Sequence, residues 1–224
     1  ASRNALDFDD IIRKTIFLFE QKPEVLQTYQ EKWPYIHIDE YQDTDAPQAR
    51  LVELLGQRYK NICAVGDEDQ SIYGFRGADF RNILDFEKKW PETKIATLER
   101  NYRSTQKILD AANAVIAKNN MRRPKNLYTK NKKGSEISIF EAENEKKEAE
   151  FIAGQIENLI KISNPSIAIL CRANYQFPAI KEALENRGIS YQAAANQDFL
   201  SNEQKLIRLM TVHAAKGLEF QCVF

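Results

Sequence analysis

Two acidic side chains in succession, Asp39 and Glu40, close the short apolar run Tyr35-Ile36-His37-Ile38. In an open parallel α/β sheet, ligands bind beyond the carboxyl ends of the strands. Two carboxylates at such a place suit Mg²⁺ and a nucleotide phosphate: one holds the ion or its waters, the other orients and deprotonates an attacking water. Asp is equally at home as a helix N-cap, so the pair alone leaves both readings open. A second apolar run, Ile62 to Val65, ends in Gly66-Asp67, and the loop after it carries Gln70, Tyr73, Phe75 and Arg76. Glutamine can sense a phosphate and an attacking water through neutral hydrogen bonds. Aromatic rings beside an arginine make a platform for unstacked bases. Core-facing positions for Tyr73 and Phe75 fit the same residue types.

The elements that would position these groups follow from periodicity. Short β-branched runs at 35–38, 62–65, 94–98, 137–140, 167–170 and 208–212 predict buried strands. Between them, segment 105–118 predicts a helix with Ile108, Ala111, Ala112, Val115 and Ile116 on one face. Segments 145–162 and 176–186 predict two more, the last ended by Gly188. Strand–helix alternation of this kind means an α/β fold with parallel sheets.

Composition bounds the rest. The chain has 224 residues, enough for one large domain or two small ones, and 43% of them are hydrophobic, which is enough to build a core. No apolar run approaches the about 18 residues of a membrane span, and the polar, acidic start does not look like a secretory signal. Lys+Arg and Asp+Glu both number 32, so nucleic-acid binding would have to rest on local patches rather than bulk charge. One such stretch, 118–133, holds Lys118, Arg122, Arg123, Lys125, Lys130, Lys132 and Lys133 with no acid. It fits a solvated connection or a phosphate-facing strip. Cys63, Cys171 and Cys222 are odd in number and far apart, which predicts buried free thiols rather than a disulfide or zinc site. His37 reads as structural.

Four segments in order carry a resemblance: Asp39-Glu40-Tyr41-Gln42-Asp43; Val65-Gly66-Asp67 with Gln70-Ser71-Ile72-Tyr73; Leu98-Glu99 with Asn101-Tyr102-Arg103-Ser104-Thr105; and Thr211-Val212-His213-Ala214-Ala215-Lys216-Gly217-Leu218-Glu219-Phe220. The set resembles the ordered motifs of superfamily 1 DNA helicases, the UvrD/PcrA/Rep group, and covers essentially the whole chain. The resemblance implies parts of two RecA-like domains, residues 1–98 and 99–224, with ATP and Mg²⁺ bound between them. Asp39 and Glu40 would serve the metal, with Glu40 as catalytic base. Gln70 would link the γ-phosphate to the DNA-contacting loop. Tyr102 would stack on adenine, Arg103 would reach the γ-phosphate, Glu219 would touch the ribose, and Lys216 would relay between DNA and nucleotide. Tyr73, Phe75, Arg76, Arg172, Asn174 and His213 would contact single-stranded DNA.

The implied function is ATP-driven 3′-to-5′ movement on single-stranded DNA and unwinding at single/double-strand junctions, in a bacterial cytoplasmic, nucleoid-associated protein that meets repair or replication proteins and no membrane. The chain departs from the family in three places. Many relatives carry Trp where Phe75 stands. No G-x-x-x-x-G-K-[ST] phosphate loop occurs. Only 13 residues, 193–205, stand where relatives carry a helical accessory insertion. These departures predict an interior segment of a helicase that hydrolyses no ATP by itself. The alternative is a non-catalytic nucleic-acid or protein-interaction module on a degenerate helicase scaffold.

Overall fold

A computed structural model describes residues 5–194 and 207–224. The chain divides into two units, Ala1–Lys133 and Gly134–Phe224. The 193–205 stretch, where the accessory insertion is expected to be missing, lies almost wholly outside the described residues.

The first unit begins with α1 (Phe8–Gln21), capped by the Asp7 carboxylate, which accepts from Asp10 N at 2.7 Å. Pro23 opens α2 (Pro23–Lys32) in the first turn, where a missing N–H costs nothing. β1 (Ile36–Ile38) leads to α3 (Ala46–Gly56). A reciprocal cap starts that helix: Asp45 accepts from Gln48 N at 2.7 Å, and the Gln48 side chain accepts from Asp45 N at 3.0 Å. β2 (Ile62–Ala64) then pairs in parallel with β1, with Ile36, His37 and Ile38 opposite Ile62, Cys63 and Ala64. The short helices α4 (Arg81–Leu84) and α5 (Phe86–Lys89) follow. Next come β3 (Arg100–Asn101), α6 (Gln106–Ile116) and β4 (Tyr128–Thr129), with β3 and β4 again parallel. Phe19, Tyr41, Ala49, Leu54, Phe86 and Leu109 are buried. Tyr41 meets Phe86 edge-on at 5.5 Å.

The second unit starts with α7 (Glu145–Ile162), whose Asn144 cap accepts from Lys146 N and Lys147 N. β5 (Ile167–Cys171), α8 (Phe177–Glu185), β6 (Tyr191–Ala194), β7 (Ile207–Thr211) and β8 (Cys222–Val223) complete it. Its sheet runs β6-β7-β5-β8, every pair parallel. A parallel sheet must be covered to be stable, and here Ile167, Ile169 and Leu209 are buried with Ala153 and Ile156 of α7 and Ile180 and Leu184 of α8. Gly188, with φ of +63°, turns the chain out of α8 toward β6.

The α/β class with parallel sheets flanked by helices is as expected, and so are the three helices. Other expectations fail locally. No strand forms at 94–98 or 137–140. Leu98 is exposed, and Phe140 instead stacks on Phe151 of α7 at 3.8 Å. An apolar run of four or five residues becomes a strand only if an edge is available to pair with it. The face of α6 is also rotated from its expected place. Leu109 is buried, whereas Ile108 and Val115 of the predicted stripe are exposed. Of the three free thiols only Cys171 is buried. Cys63 is exposed, because it shares with His37 the uncovered face of the β1–β2 pair.

Candidate functional site

β1 and β2 are parallel neighbours, so their carboxyl ends fall side by side and both motif loops leave from one edge. The ladder continues past the strands: Val65 N donates to Ile38 O at 2.8 Å and Tyr41 N to Val65 O at 2.9 Å. Asp39 Oδ1 accepts from Glu40 N at 2.9 Å. Glu40 takes φ 52°, ψ 40°, a left-handed conformation that costs an L-residue on the order of 1–2 kcal/mol. Both carboxylate residues are exposed, while the two after them, Tyr41 and Gln42, are buried.

Gln42 was not among the residues singled out from the sequence, yet it joins the two loops. Its Nε2 donates to Glu40 Oε2 at 2.5 Å, and its Oε1 accepts from Asp67 N at 3.0 Å. Gly66 makes room for it, since a Cβ there would overlap Gln42 Oε1 and come within 2.7 Å of Ile83 Cδ1. From Asp67 the connections go on to Gln70, whose Nε2 donates to Asp67 Oδ2 at 2.8 Å. The sequence signal was a glutamine inside an otherwise acidic motif, but its burial could not be read without the partner loop.

The 67–70 turn also gathers the basic stretch. Arg122 forms a two-pronged pair with Asp69, at 3.0 Å from Nε and 2.8 Å from Nη2 to Oδ2. Lys125 Nζ lies 2.6 Å from Asp67, 3.2 Å from Glu68 and 3.0 Å from Asp69. Burial disfavours charge on Asp69, but hydrogen bonds from Arg122 and Lys125 outweigh it and hold the carboxyl below its ordinary range. Burial alone would push the Lys125 ammonium down, yet its bonds to Asp67 and Asp69 hold it above the ordinary lysine value. Arg123 pairs with Glu87 at 3.1 Å. Three of the seven cations in 118–133 are therefore neither simply solvated nor facing a phosphate: Arg122 and Lys125 fasten their segment to the acidic turn, and Arg123 fastens it to Glu87 of α5.

Phe75 and Arg76 are exposed and form a ledge with the half-buried Tyr73. The rings lie 6.2 Å apart, and the guanidinium sits 5.6 Å from the first and 5.5 Å from the second. Phe75 is 70% exposed, so it is not a core residue. Tyr102 and Arg103 stand on another turn of the same unit, shaped by Asn101 Oδ1 accepting from Arg103 N at 3.0 Å and Ser104 N at 2.7 Å. Tyr102 is 72% exposed, with the Arg100 guanidinium over its ring at 4.5 Å.

In the second unit, Arg172 and Asn174 follow β5, and His213, Lys216 and Glu219 follow β7. These strands are parallel neighbours, with Cys171 opposite Thr211, so the loops that start with Arg172 and Val212 leave from the same end of that sheet, bringing Arg172, Asn174 and His213 to it, whereas Glu219 stands three residues before Cys222, which pairs with Ile167 at the other end. Thr211 shapes the second loop: its Oγ1 accepts from Ala214 N at 3.2 Å and its backbone O from Ala215 N at 3.1 Å.

Among the described residues no group of three or more His, Cys, Asp or Glu side chains is arranged to hold a metal ion. A pair of neighbouring carboxylates such as Asp39 and Glu40 is compatible with Mg²⁺, which binds through one or two carboxylates and takes the rest of its shell from phosphate oxygens and water. No helix among the described residues is long and apolar enough to cross a membrane.

Comparisons with known proteins give the family. The family model described as UvrD/REP helicase N-terminal domain matches residues 1–91, and the one described as UvrD-like helicase C-terminal domain matches residues 96–204. The chain is 48% identical over 203 residues to the ATP-dependent DNA helicase PcrA of Bacillus subtilis, covering 89% of this chain and 28% of that protein. It is 49% identical over 206 residues to PcrA of Staphylococcus aureus, covering 91% and 28%, and 48% identical to PcrA of Staphylococcus epidermidis with the same coverage. The chain thus spans a little over a quarter of the length of the curated relatives it matches. On both matched halves, it belongs to the UvrD/REP helicase family.

Proposed function

We propose that the chain is part of an ATP-dependent DNA helicase that moves 3′ to 5′ along single-stranded DNA and opens duplex at junctions. Residues 1–98 and 99–224 would derive from its two RecA-like domains. The observation that carries this reading is the shared edge of β1 and β2. There the acidic pair, the Gly66–Gln70 turn and the aromatic ledge follow one another within two hydrogen-bonded loops. The relatives' names supply the reaction, ATP-dependent DNA helicase.

Mg²⁺, when bound, neutralises phosphate charge during phosphoryl transfer. Asp39 holds the metal or its waters, and Glu40 accepts the proton of the attacking water. Gln70 donates a neutral hydrogen bond toward the terminal phosphate. Tyr102 offers its ring to the adenine, and Arg103 meets the charge that grows on the transferred group. Glu219 reaches the ribose and Lys216 relays between the nucleotide and DNA. Tyr73, Phe75 and Arg76 stack and clamp bases, and Arg172, Asn174 and His213 hold the strand further along.

The test uses the full-length protein that carries this segment. Glu40→Gln should keep ATP binding and lower turnover by about 100-fold or more, the usual worth of a general base. Unchanged turnover would remove Glu40 as the base. The 224-residue chain alone should hydrolyse no ATP, since it carries no phosphate-loop motif. DNA-stimulated turnover by that chain would refute this part.

A further inference from the structure

The functional reading leaves Gln42 without a task, although it is fully buried and lies between the two loops that reading depends on. Burying an amide is unfavourable unless every polar atom is matched, and an apolar side chain would fill the same space at less cost. Both ends of this amide are matched, and by different loops. Its orientation is chemically fixed: Asp67 N–H can only donate, so Oε1 must face it, and the NH₂ is left for the Glu40 carboxylate. Glu40 meanwhile keeps an uncommon left-handed backbone, the kind of local strain that persists where surrounding structure over-determines it. The hydrogen bonds then run without a gap: Glu40 to Gln42, Gln42 to Asp67, and Asp67 to Gln70. Three residues beyond Gln70 the ledge of Tyr73, Phe75 and Arg76 begins.

We propose that Gln42 is a positioning residue which aligns the Glu40 carboxylate according to where the Gly66–Gln70 turn stands, so that the loop bearing the DNA ledge sets the readiness of the general base. The inference rests on the functional reading above and adds to it the route by which DNA stimulates ATP hydrolysis. A displacement of the turn by DNA moves Asp67 N–H, and the rigid, five-atom amide of Gln42 transmits that displacement to the carboxylate. An error of about 1 Å at a reacting group costs on the order of 100-fold in rate, so a small shift of the turn is enough.

Two measurements on Gln42→Met, which keeps the volume and removes both hydrogen bonds, test it. The first is amide hydrogen exchange on the 224-residue chain. Asp67 N–H should exchange about tenfold faster, while Val65 and Tyr41 N–H, which belong to the strand-end ladder, keep their protection. If all three accelerate together, Gln42 merely holds the fold, and if none does, it does not join the loops; either result overturns the proposal. The second is turnover by the full-length protein. The kcat for ATP with single-stranded DNA should fall about 100-fold, with KM for ATP within about twofold. The ratio of DNA-stimulated to DNA-free turnover should fall about tenfold. Gln42→Glu, which keeps the acceptor for Asp67 N–H but sets a second carboxyl against Glu40, should restore the Asp67 protection without restoring the rate. An unchanged stimulation ratio in Gln42→Met would sink the proposal. A wild-type protein that turns over no ATP at all would instead remove the functional reading, and the exchange measurement would still decide whether Gln42 ties the two loops.

Discussion

The two units hold themselves together by different means. In the second, β5 and β7 run through the middle of a four-stranded parallel sheet, and Ile167, Ile169, Leu209 and Met210 are shut away from water. In the first, β1 and β2 form a pair with one side uncovered, so that His37 and Cys63 face solvent. Its two most buried large side chains, Tyr41 and Gln42, follow the acidic pair rather than sitting in a strand. Much of what ties its loops is polar: the Gln42 amide, the Asp45 cap, and the Lys125 and Arg122 contacts with the acidic turn. Apolar burial is non-directional, whereas a hydrogen-bonded or ionic cluster fixes particular atoms. The unit that must aim Glu40 and Gln70 is the one that relies on directional contacts.

This contrast can be broken most directly at Leu209. Truncating this fully buried residue to alanine should cost about 2–5 kcal/mol, because α7 and α8 pack together with β5 and β7 in one core and leave little room to collapse. Both tryptophans, Trp33 and Trp90, lie in the first unit. Denaturant unfolding followed by far-UV circular dichroism should therefore show the loss, while the tryptophan emission midpoint holds. A matching shift in emission would mean that the two units unfold as one and that the contrast has no energetic content.

Lys125→Met asks the complementary question. The ammonium sits among Asp67, Glu68 and Asp69, largely shielded from water. Removing one partner of a buried charge cluster costs about 3 kcal/mol, and here three carboxylates would lose their common counter-ion. Tryptophan emission should now report the earlier transition. The pH dependence follows from the same contacts. Asp69 is held low by its partners, so its contribution is present above the unfolded carboxyl value of about 3.9 and fades as pH falls through the folded one. Lys125 is held high, so its contribution is complete below about 10.4 and fades as pH rises through the folded value. The wild-type emission midpoint should be flat between these limits and fall at both ends. Lys125→Met should lose the alkaline fall, and its persistence would assign that limb to another group.

The same contrast explains which parts of the molecule could be read in advance. Periodicity located α7, α8, β5 and β7, because a covered sheet demands continuous apolar runs and its helices demand a stripe. The motif loops were legible because their residue types suit one chemistry, and their exit from neighbouring parallel strands follows from the fold. What stayed hidden depends on partners distant in sequence. Gln42 meets Asp67 across 25 positions, and Lys125 meets Asp67 across 58. Ile137 to Phe140 has the composition of a strand, but the ring of Phe140 packs on α7 rather than leading a strand onto the sheet. The basic stretch 118–133 looked like a choice between solvent and phosphate because charge alone does not reveal an acidic turn waiting elsewhere in the chain.

The smallest predicted effect concerns binding rather than stability, and it isolates the ledge from the rest of the first unit. Phe75 is exposed and meets Tyr73 and Arg76 at ring-contact distances. Its removal should leave the tryptophan emission midpoint unchanged and weaken single-stranded DNA binding by about 1–3 kcal/mol, the worth of one stacked base. Phe75→Trp should move affinity the other way, since a larger face stacks over more area. The salt slope of binding should be the same in both variants, because neither changes the number of cations meeting phosphates. If Phe75→Ala instead changes that slope while Phe75→Trp leaves affinity untouched, Arg76 binds as a charge and the ring only props it in place.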